Sequence, residues 1–166
     1  MNYSSIVKND FTAGDGVCVT LYVSGCSLRC PGCHNPQAQN PNYGVPYTED
    51  TTKEIVNALT ANGIQRNLCI MGGEPFYSNN APEVLQLILE VQDKAPETKI
   101  YVWSGYTYEE LYSNGNYAVA CALENINYLI DGPYIQEQRD ITLKMRGSKN
   151  QRILRLEDGK IVEELQ

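Results

Sequence analysis

The chain has 166 residues (18.6 kDa), 42% of them hydrophobic and 20% charged. These are the proportions of a globular domain with its own core, and they exclude collagen, low-complexity disorder and long coiled coil. A net charge of −7, from 13 Lys and Arg against 20 Asp and Glu, argues against a general nucleic-acid binder.

The charge is unevenly spread: residues 1–138 carry six basic and fifteen acidic side chains, residues 139–166 seven and five. The longest apolar run, Tyr117 to Leu123, is far short of the roughly 20 residues that span a bilayer. The start, Met1-Asn2-Tyr3-Ser4-Ser5, lacks the charged and apolar regions of a signal peptide. The expectation is therefore one cytoplasmic domain over residues 1–166, with no membrane partner. In that compartment thiols stay reduced, so six cysteines point to metal binding or catalysis before disulfides.

Val17-Cys18-Val19-Thr20-Leu21-Tyr22-Val23 is a β-branched and aromatic run that predicts a buried strand after an extended N-terminal segment. Prolines at 31, 36, 41 and 46 make residues 26–48 a loop. Thr51-x-x-Glu54 has the spacing of a capping box, and Ile55, Val56 and Leu59 share a helical face behind it, with Gly63 as the stop. Leu68-Cys69-Ile70-Met71 predicts a second strand. Pro82 suits a helix start, followed by an apolar stripe of Val84, Leu85, Ile88 and Val91. Ile100-Tyr101-Val102-Trp103 is a third strand, and Thr107-x-x-Glu110 opens another helix. Residues 126–130 form a fourth strand, and Asp158-Gly159 is a hairpin turn between residues 152–156 and 160–162. Alternating strands and helices imply a parallel sheet, whose ligands bind beyond the carboxyl ends of the strands. Those ends carry Gly25-Cys26, Gly72-Gly73-Glu74, Ser104-Gly105 and Asp131-Gly132.

Cys26-Ser27-Leu28-Arg29-Cys30-Pro31-Gly32-Cys33 is C-x3-C-x2-C, with His34 next. Two inorganic centres compete for it. Three thiolates with His34 would close a tetrahedral zinc site in a binding module. Three thiolates can also hold three irons of a 4Fe–4S cluster and leave the fourth iron open. Zinc modules usually bring ligands as two separated pairs, which this triplet lacks. Gly72-Gly73-Glu74-Pro75 at the next strand end adds glycines for close backbone approach and a carboxylate for an ammonium group. Alone that motif is weak; one βα unit after the cysteine triplet, it favours the cluster.

These motifs resemble the radical S-adenosylmethionine superfamily. Within it the chain is most similar to the activating proteins of anaerobic (class III) ribonucleoside-triphosphate reductases. The similarity rests on Cys30-Pro31-Gly32-Cys33-His34-Asn35-Pro36 above all, and on Gly14-Asp15-Gly16-Val17, Val23-Ser24-Gly25-Cys26, Gly72-Gly73-Glu74-Pro75, Trp103-Ser104-Gly105-Tyr106-Thr107, Asp131-Gly132-Pro133-Tyr134 and Arg146-Gly147-Ser148-x-x-Gln151-Arg152. Two positions depart from the superfamily pattern: Gly32 replaces the usual aromatic before the third cysteine, as in this family, and Gln39 stands where an aromatic is expected.

The resemblance implies that Cys26, Cys30 and Cys33 ligate one 4Fe–4S cluster and that S-adenosyl-L-methionine binds the open iron. Gly72, Gly73 and Glu74 would receive its methionyl ammonium, and the backbone of Gly32, Cys33 and His34 would lie against the adenine. Reductive cleavage would yield a 5′-deoxyadenosyl radical that takes a hydrogen from a glycine of the reductase. A flavodoxin-like or ferredoxin-like electron donor is implied; activation of another glycyl radical enzyme, of the pyruvate formate-lyase type, is the nearest alternative. Ser104 and Asp131, at strand ends, are further cofactor-binding candidates, each balanced against simple capping. Cys18, Cys69 and Cys121 read as buried apolar residues. Arg146, Lys149, Arg152 and Arg155 read as a solvated face before a docking surface. A full (β/α)8 barrel needs roughly 250 residues. The expected fold is therefore α/β, a shortened and open partial (β/α) barrel of about five or six mainly parallel strands.

Overall fold

The computed structural model describes all 166 residues. Eight strands form one sheet: β1 (Asn2–Asp10), β2 (Cys18–Val23), β3 (Val45–Pro46), β4 (Asn67–Gly72), β5 (Ile100–Trp103), β6 (Tyr128–Asp131), β7 (Arg152–Glu157) and β8 (Lys160–Leu165). Their order is β3-β1-β2-β4-β5-β6-β7-β8. The middle four, β2, β4, β5 and β6, are parallel. Antiparallel strands extend both edges: β1 and β3 on one side, β7 and β8 on the other.

The sheet thus has eight strands where five or six were expected. The expected hairpin at Asp158-Gly159 is present as β7 and β8; the two further strands are β1, formed by the extended N-terminal segment pairing with β2, and β3, which adds two residues to it. β1 has mostly half-buried or exposed side chains and β3 is two exposed residues, so neither carries the apolar run that marks β2, β4 and β5.

Four helices connect the parallel strands: α1 (Glu49–Leu59), α2 (Ala81–Lys94), α3 (Tyr108–Ser113) and α4 (Tyr117–Asn125). Side chains alternate along a strand, so Val19, Leu21, Ile70, Val102 and Leu129 all point to one face and pack there against Ile55, Leu59, Leu87, Ile88 and Leu123 of the helices. The opposite face holds a smaller apolar group, Cys18, Cys69, Tyr101, Ile130 and Ile153, covered by Ala13 rather than by a helix. Tyr101 stacks on Tyr128 at 4.5 Å between ring centroids. No helix is long and apolar enough to cross a membrane.

The helix caps follow the sequence in one case and shift in the other. At α3 the Thr107 side chain accepts from the Glu110 N–H, and Glu110 accepts from the Thr107 N–H at 2.8 Å. At α1 the box lies one turn earlier than Thr51-x-x-Glu54 suggests. Thr48 is the N-cap, and Thr51 is the third helical residue reaching back to the Thr48 N–H at 3.1 Å. A threonine stands at either position; because the helix begins at Glu49, Glu54 lies more than a turn inside it and pairs with Lys8 at 2.9 Å instead. The helix ends at Leu59, and Gly63 closes a short 3-10 turn beyond it.

The carbonyls at that end are held by Arg66, which is 4% exposed. Its guanidinium donates to the carbonyls of Ala58, Ala61 and Ile64 and to Asn9 Oδ1, at 2.8–3.1 Å. A cation is well placed where the helix dipole is negative. Arg66→Met leaves several buried acceptors unpaired and is expected to cost about 3 kcal/mol, read as a lowered urea midpoint with an unchanged slope.

Candidate functional site

The four parallel strands end on one side of the sheet, and the loops that leave them enclose a cavity of about 370 Å³. Cys26, Cys30, Cys33 and His34 line it from the loop after β2, Gly72, Gly73 and Glu74 from the end of β4, and Ser104 from the end of β5. Eight of the sequence-selected residues therefore meet in one place. Gly32 lies in the same cysteine loop and is exposed.

The two motif loops are joined backbone to backbone. Gly73 donates to the Val23 carbonyl at 2.7 Å, Glu74 to the Gly25 carbonyl at 2.8 Å, and Gly25 to the Ala38 carbonyl at 2.7 Å. A Cβ on Gly73 would lie 2.7 Å from the Gly25 oxygen and 2.9 Å from that of Ala38, so any larger residue forces the loops apart. Gly72 also needs its missing side chain, with φ at +112°. The Asn80 side chain bridges the Ser24 and Glu74 carbonyls at 2.8 and 3.0 Å. The spacing between the thiols and Glu74 is thereby fixed by main chain.

Glu74 is 1% exposed. Its Oε1 accepts from the Phe76 N–H and the Ser104 hydroxyl, both at 2.9 Å, and its Oε2 from the Gly105 N–H at 2.8 Å. Burial pushes the carboxyl up to about 7, although all three donors pull it down. No cation of the chain is among the groups acting on it. A buried carboxylate oriented by dipoles, without a counter-charge, is ready to take a positive or amino group from a ligand. Ser104 is part of this arrangement: it orients Glu74.

Asp131 is not. It is fully buried, but outside the cavity lining. Arg152 binds both of its oxygens, at 3.0 and 2.5 Å, and Oδ2 also accepts from the Tyr108 N–H at 2.7 Å. The same Arg152 reaches Glu109 at 2.7 Å. The expected cofactor contact is thus replaced by an ion pair that ties the end of β6 to the first turn of α3 and to β7. Asp131→Asn is expected to lower stability by about 3 kcal/mol while leaving ligand affinity within about twofold, checked by denaturant unfolding and by equilibrium binding on the same sample. A loss of affinity without a loss of stability would restore the ligand role.

Of the other cysteines, Cys18 and Cys69 are buried as expected. Cys121 is only half-buried, because α4 covers the core chiefly with Val119, Ala122 and Leu123. The basic C-terminal residues are mostly neutralised within the chain. Arg155 pairs with Glu157 and Glu163, and Lys149 lies 3.9 Å from Asp140. Arg146 makes only long bonds to carbonyls, at 3.4 Å.

Several lining residues carried no role in the sequence reading. Tyr134, Met145, Gly147 and Gln151 come from the long segment between β6 and β7, which folds back over the strand ends. Trp103 Nε1 donates to the Met145 carbonyl at 2.8 Å. Gln151 accepts from the Gly147 and Ser148 N–H groups and donates to the Gly132 carbonyl. The Asp131-Gly132-Pro133-Tyr134 and Arg146-Gly147-Ser148 motifs were the available signal, since both flank this segment.

Whether the thiols fit a metal centre follows from their arrangement. No three His, Cys, Asp or Glu side chains are gathered around one point closely enough to hold a single ion. A tetrahedral zinc needs its thiolates within about 4 Å of one another, given Zn–S near 2.3 Å. A four-iron cluster takes one thiolate per iron, so three spread thiols facing a common cavity fit it better. Burial raises the Cys26 thiol above its ordinary value, so loading it with iron releases a proton.

The comparisons with known proteins agree. The family described as a 4Fe-4S single cluster domain matches residues 12–154, which defines the class as a one-cluster iron–sulfur domain. An anaerobic ribonucleoside-triphosphate reductase-activating protein of Escherichia coli (strain K12) is 37% identical over 152 residues, covering 91% of this chain and 96% of its own. Proteins of the same name from Vibrio cholerae and Enterobacteria phage T4 are 38% and 36% identical, over 93% and 96% of this chain and 98% and 97% of their own. The chain belongs to the family of anaerobic ribonucleoside-triphosphate reductase-activating proteins.

Proposed function

We propose that this protein is a radical S-adenosylmethionine activating enzyme that installs a glycyl radical on an anaerobic ribonucleoside-triphosphate reductase. The observation that carries this reading is the meeting of three thiols and one buried, cation-free carboxylate in a single cavity. When bound, the 4Fe–4S cluster and S-adenosylmethionine supply reductive cleavage to methionine and a 5′-deoxyadenosyl radical, which abstracts hydrogen from a reductase glycine.

The chain's own residues bind and orient. Cys26, Cys30 and Cys33 would hold the cluster. Glu74, fixed by Ser104, Phe76 and Gly105, accepts from the amino group of S-adenosylmethionine, with the Gly72-Gly73 backbone beside it. The backbone of Gly32, Cys33 and His34 would lie against the adenine. The burial that raises the Glu74 carboxyl also excludes water from its ligand bond.

The sheet serves this chemistry as a partial barrel. Helices cover one face only, and the other is closed by loops rather than by further βα units. That leaves an approach for a glycine-bearing segment of the reductase. A flavodoxin-like or ferredoxin-like carrier supplies the electron, and the reaction takes place in the cytoplasm. Anaerobically reconstituted protein given S-adenosylmethionine and a strong reductant should form 5′-deoxyadenosine; a cluster-loaded protein that forms none overturns the reading.

A further inference from the structure

Carboxylates are absent from one stretch of an otherwise acidic chain. Between Asp15 and Glu49 the chain has no acidic residue and a single Lys or Arg, Arg29. That stretch contains the cysteine loop. Its three thiols face the cavity, while Arg29, Pro31, Pro36 and Gln37 are exposed and do not line it. Tyr43 adds an apolar side chain, 39% exposed, to the same stretch. Glu137 marks an edge of this region, since its neighbour Gln136 packs directly against Gly32.

Arg29 is held in place. It has the left-handed φ of +53°, unusual for a residue with a side chain, and its guanidinium donates to the Cys26 carbonyl at 2.6 Å and to Gln39 Oε1 at 3.3 Å. Gln39, one of the two residues that depart from the superfamily pattern, therefore anchors a cation on the outer side of the loop. The carbonyl it binds belongs to one of the three cysteines.

We propose that the outer face of the Cys26–Gln39 loop is the docking surface for an acidic one-electron carrier protein, with Arg29 as its charged contact. This rests on the cluster reading given above. Elsewhere the net negative surface repels an acidic partner; this loop has no carboxylate of its own and one exposed cation, Arg29, three residues from Cys26 and next to Cys30. In the docked complex the reduced carrier is oxidised by one electron, and the cluster is reduced by one.

The test uses the cluster-loaded protein under anaerobic conditions and oxidised flavodoxin, an acidic flavoprotein, as the probe. Calorimetric Kd values are measured at low and at high salt. Arg29→Glu should weaken binding about fivefold at low salt. Gln37→Glu changes an exposed side chain outside the cavity, leaves the three cysteines and Arg29 in place, and should weaken it about twofold, while Gln37→Lys should strengthen it by a similar factor. These differences should shrink at high salt. Reduction of the cluster by reduced flavodoxin should follow the same order, whereas photoreduction by a neutral deazaflavin should be equal in all four proteins. Kd values that do not respond to either position overturn the proposal. So does a response to these substitutions in binding of the reductase but not of flavodoxin. A wild-type protein that holds no reducible cluster overturns the underlying reading and this inference with it.

Discussion

Serine in place of Cys26, Cys30 or Cys33 is expected to abolish 5′-deoxyadenosine formation, by at least about a thousandfold, and to reduce bound iron to a small fraction of wild type. The size of the effect follows from the arrangement. Each thiol meets the cavity from a separate point of one short loop, and no fourth cysteine lines that cavity. A missing ligand therefore has no replacement. Cys18→Ala and Cys69→Ala are the matching controls. Both thiols are buried among apolar side chains on the sheet, so these variants should keep full iron content and lose about 1 kcal/mol of stability through a small cavity. Iron and sulfide analysis of the five proteins, alongside product formation, checks the division. Equal iron loss in the controls would mean that the two groups of cysteines are not functionally distinct.

Substitution of Glu74 is expected to have the next largest effect. Glu74→Gln keeps the shape but not the charge, and should weaken S-adenosylmethionine binding by about 10- to 100-fold above neutral pH. The pH dependence identifies the cause. Burial raises the folded-state carboxyl to about 7, so the wild-type protein loses its charged acceptor as pH falls through that value. The affinity advantage of wild type over Glu74→Gln should thus grow up to about pH 7 and be constant above it.

Stability moves the opposite way. The folded protein holds the Glu74 proton more tightly than the unfolded chain, for which the ordinary carboxyl value is 4.5. Its contribution is fully present below 4.5 and is lost as pH rises to about 7. By linkage this amounts to about 3 kcal/mol, absent from Glu74→Gln. Denaturant unfolding of both proteins between pH 4 and 8 measures it. Parallel stability curves would show that Glu74 titrates normally and that its burial has no energetic consequence.

The strands that position the site were legible because their apolar runs are long and their ends carry glycine. Val17 to Val23, Leu68 to Met71 and Ile100 to Trp103 each fall within one residue of β2, β4 and β5. The cysteines and Gly72-Gly73-Glu74 were legible for a related reason: their chemistry requires particular residue types at fixed spacing. What escaped was settled by contacts between distant residues. Asp131 has the position of a ligand, and only the presence of Arg152, 21 residues later, makes it a structural anion. Ser104 has equal local reasons to cap a turn, and its bond to Glu74 spans 30 residues. Tyr134 and Met145 lie in a segment without helix or strand periodicity, and only the motifs at its two ends, Asp131-Gly132-Pro133-Tyr134 and Arg146-Gly147-Ser148, mark it. The edge strands β1 and β3 depend on pairing partners rather than on their own pattern. Thr48 and Thr51 show the finer limit: two threonines three residues apart both satisfy a capping motif, and long-range packing selects one.

The central claim is that this cavity assembles one cluster and uses it to make a radical on a protein. The most direct measurement is electron paramagnetic resonance of an anaerobic mixture of reconstituted protein, S-adenosylmethionine, reductant and the anaerobic ribonucleoside-triphosphate reductase. The predicted result is a glycyl radical doublet on the reductase, appearing with 5′-deoxyadenosine and absent when any of Cys26, Cys30 or Cys33 is replaced. Stoichiometric zinc without iron or sulfide, or a fully loaded cluster that leaves the reductase without a radical, would contradict it.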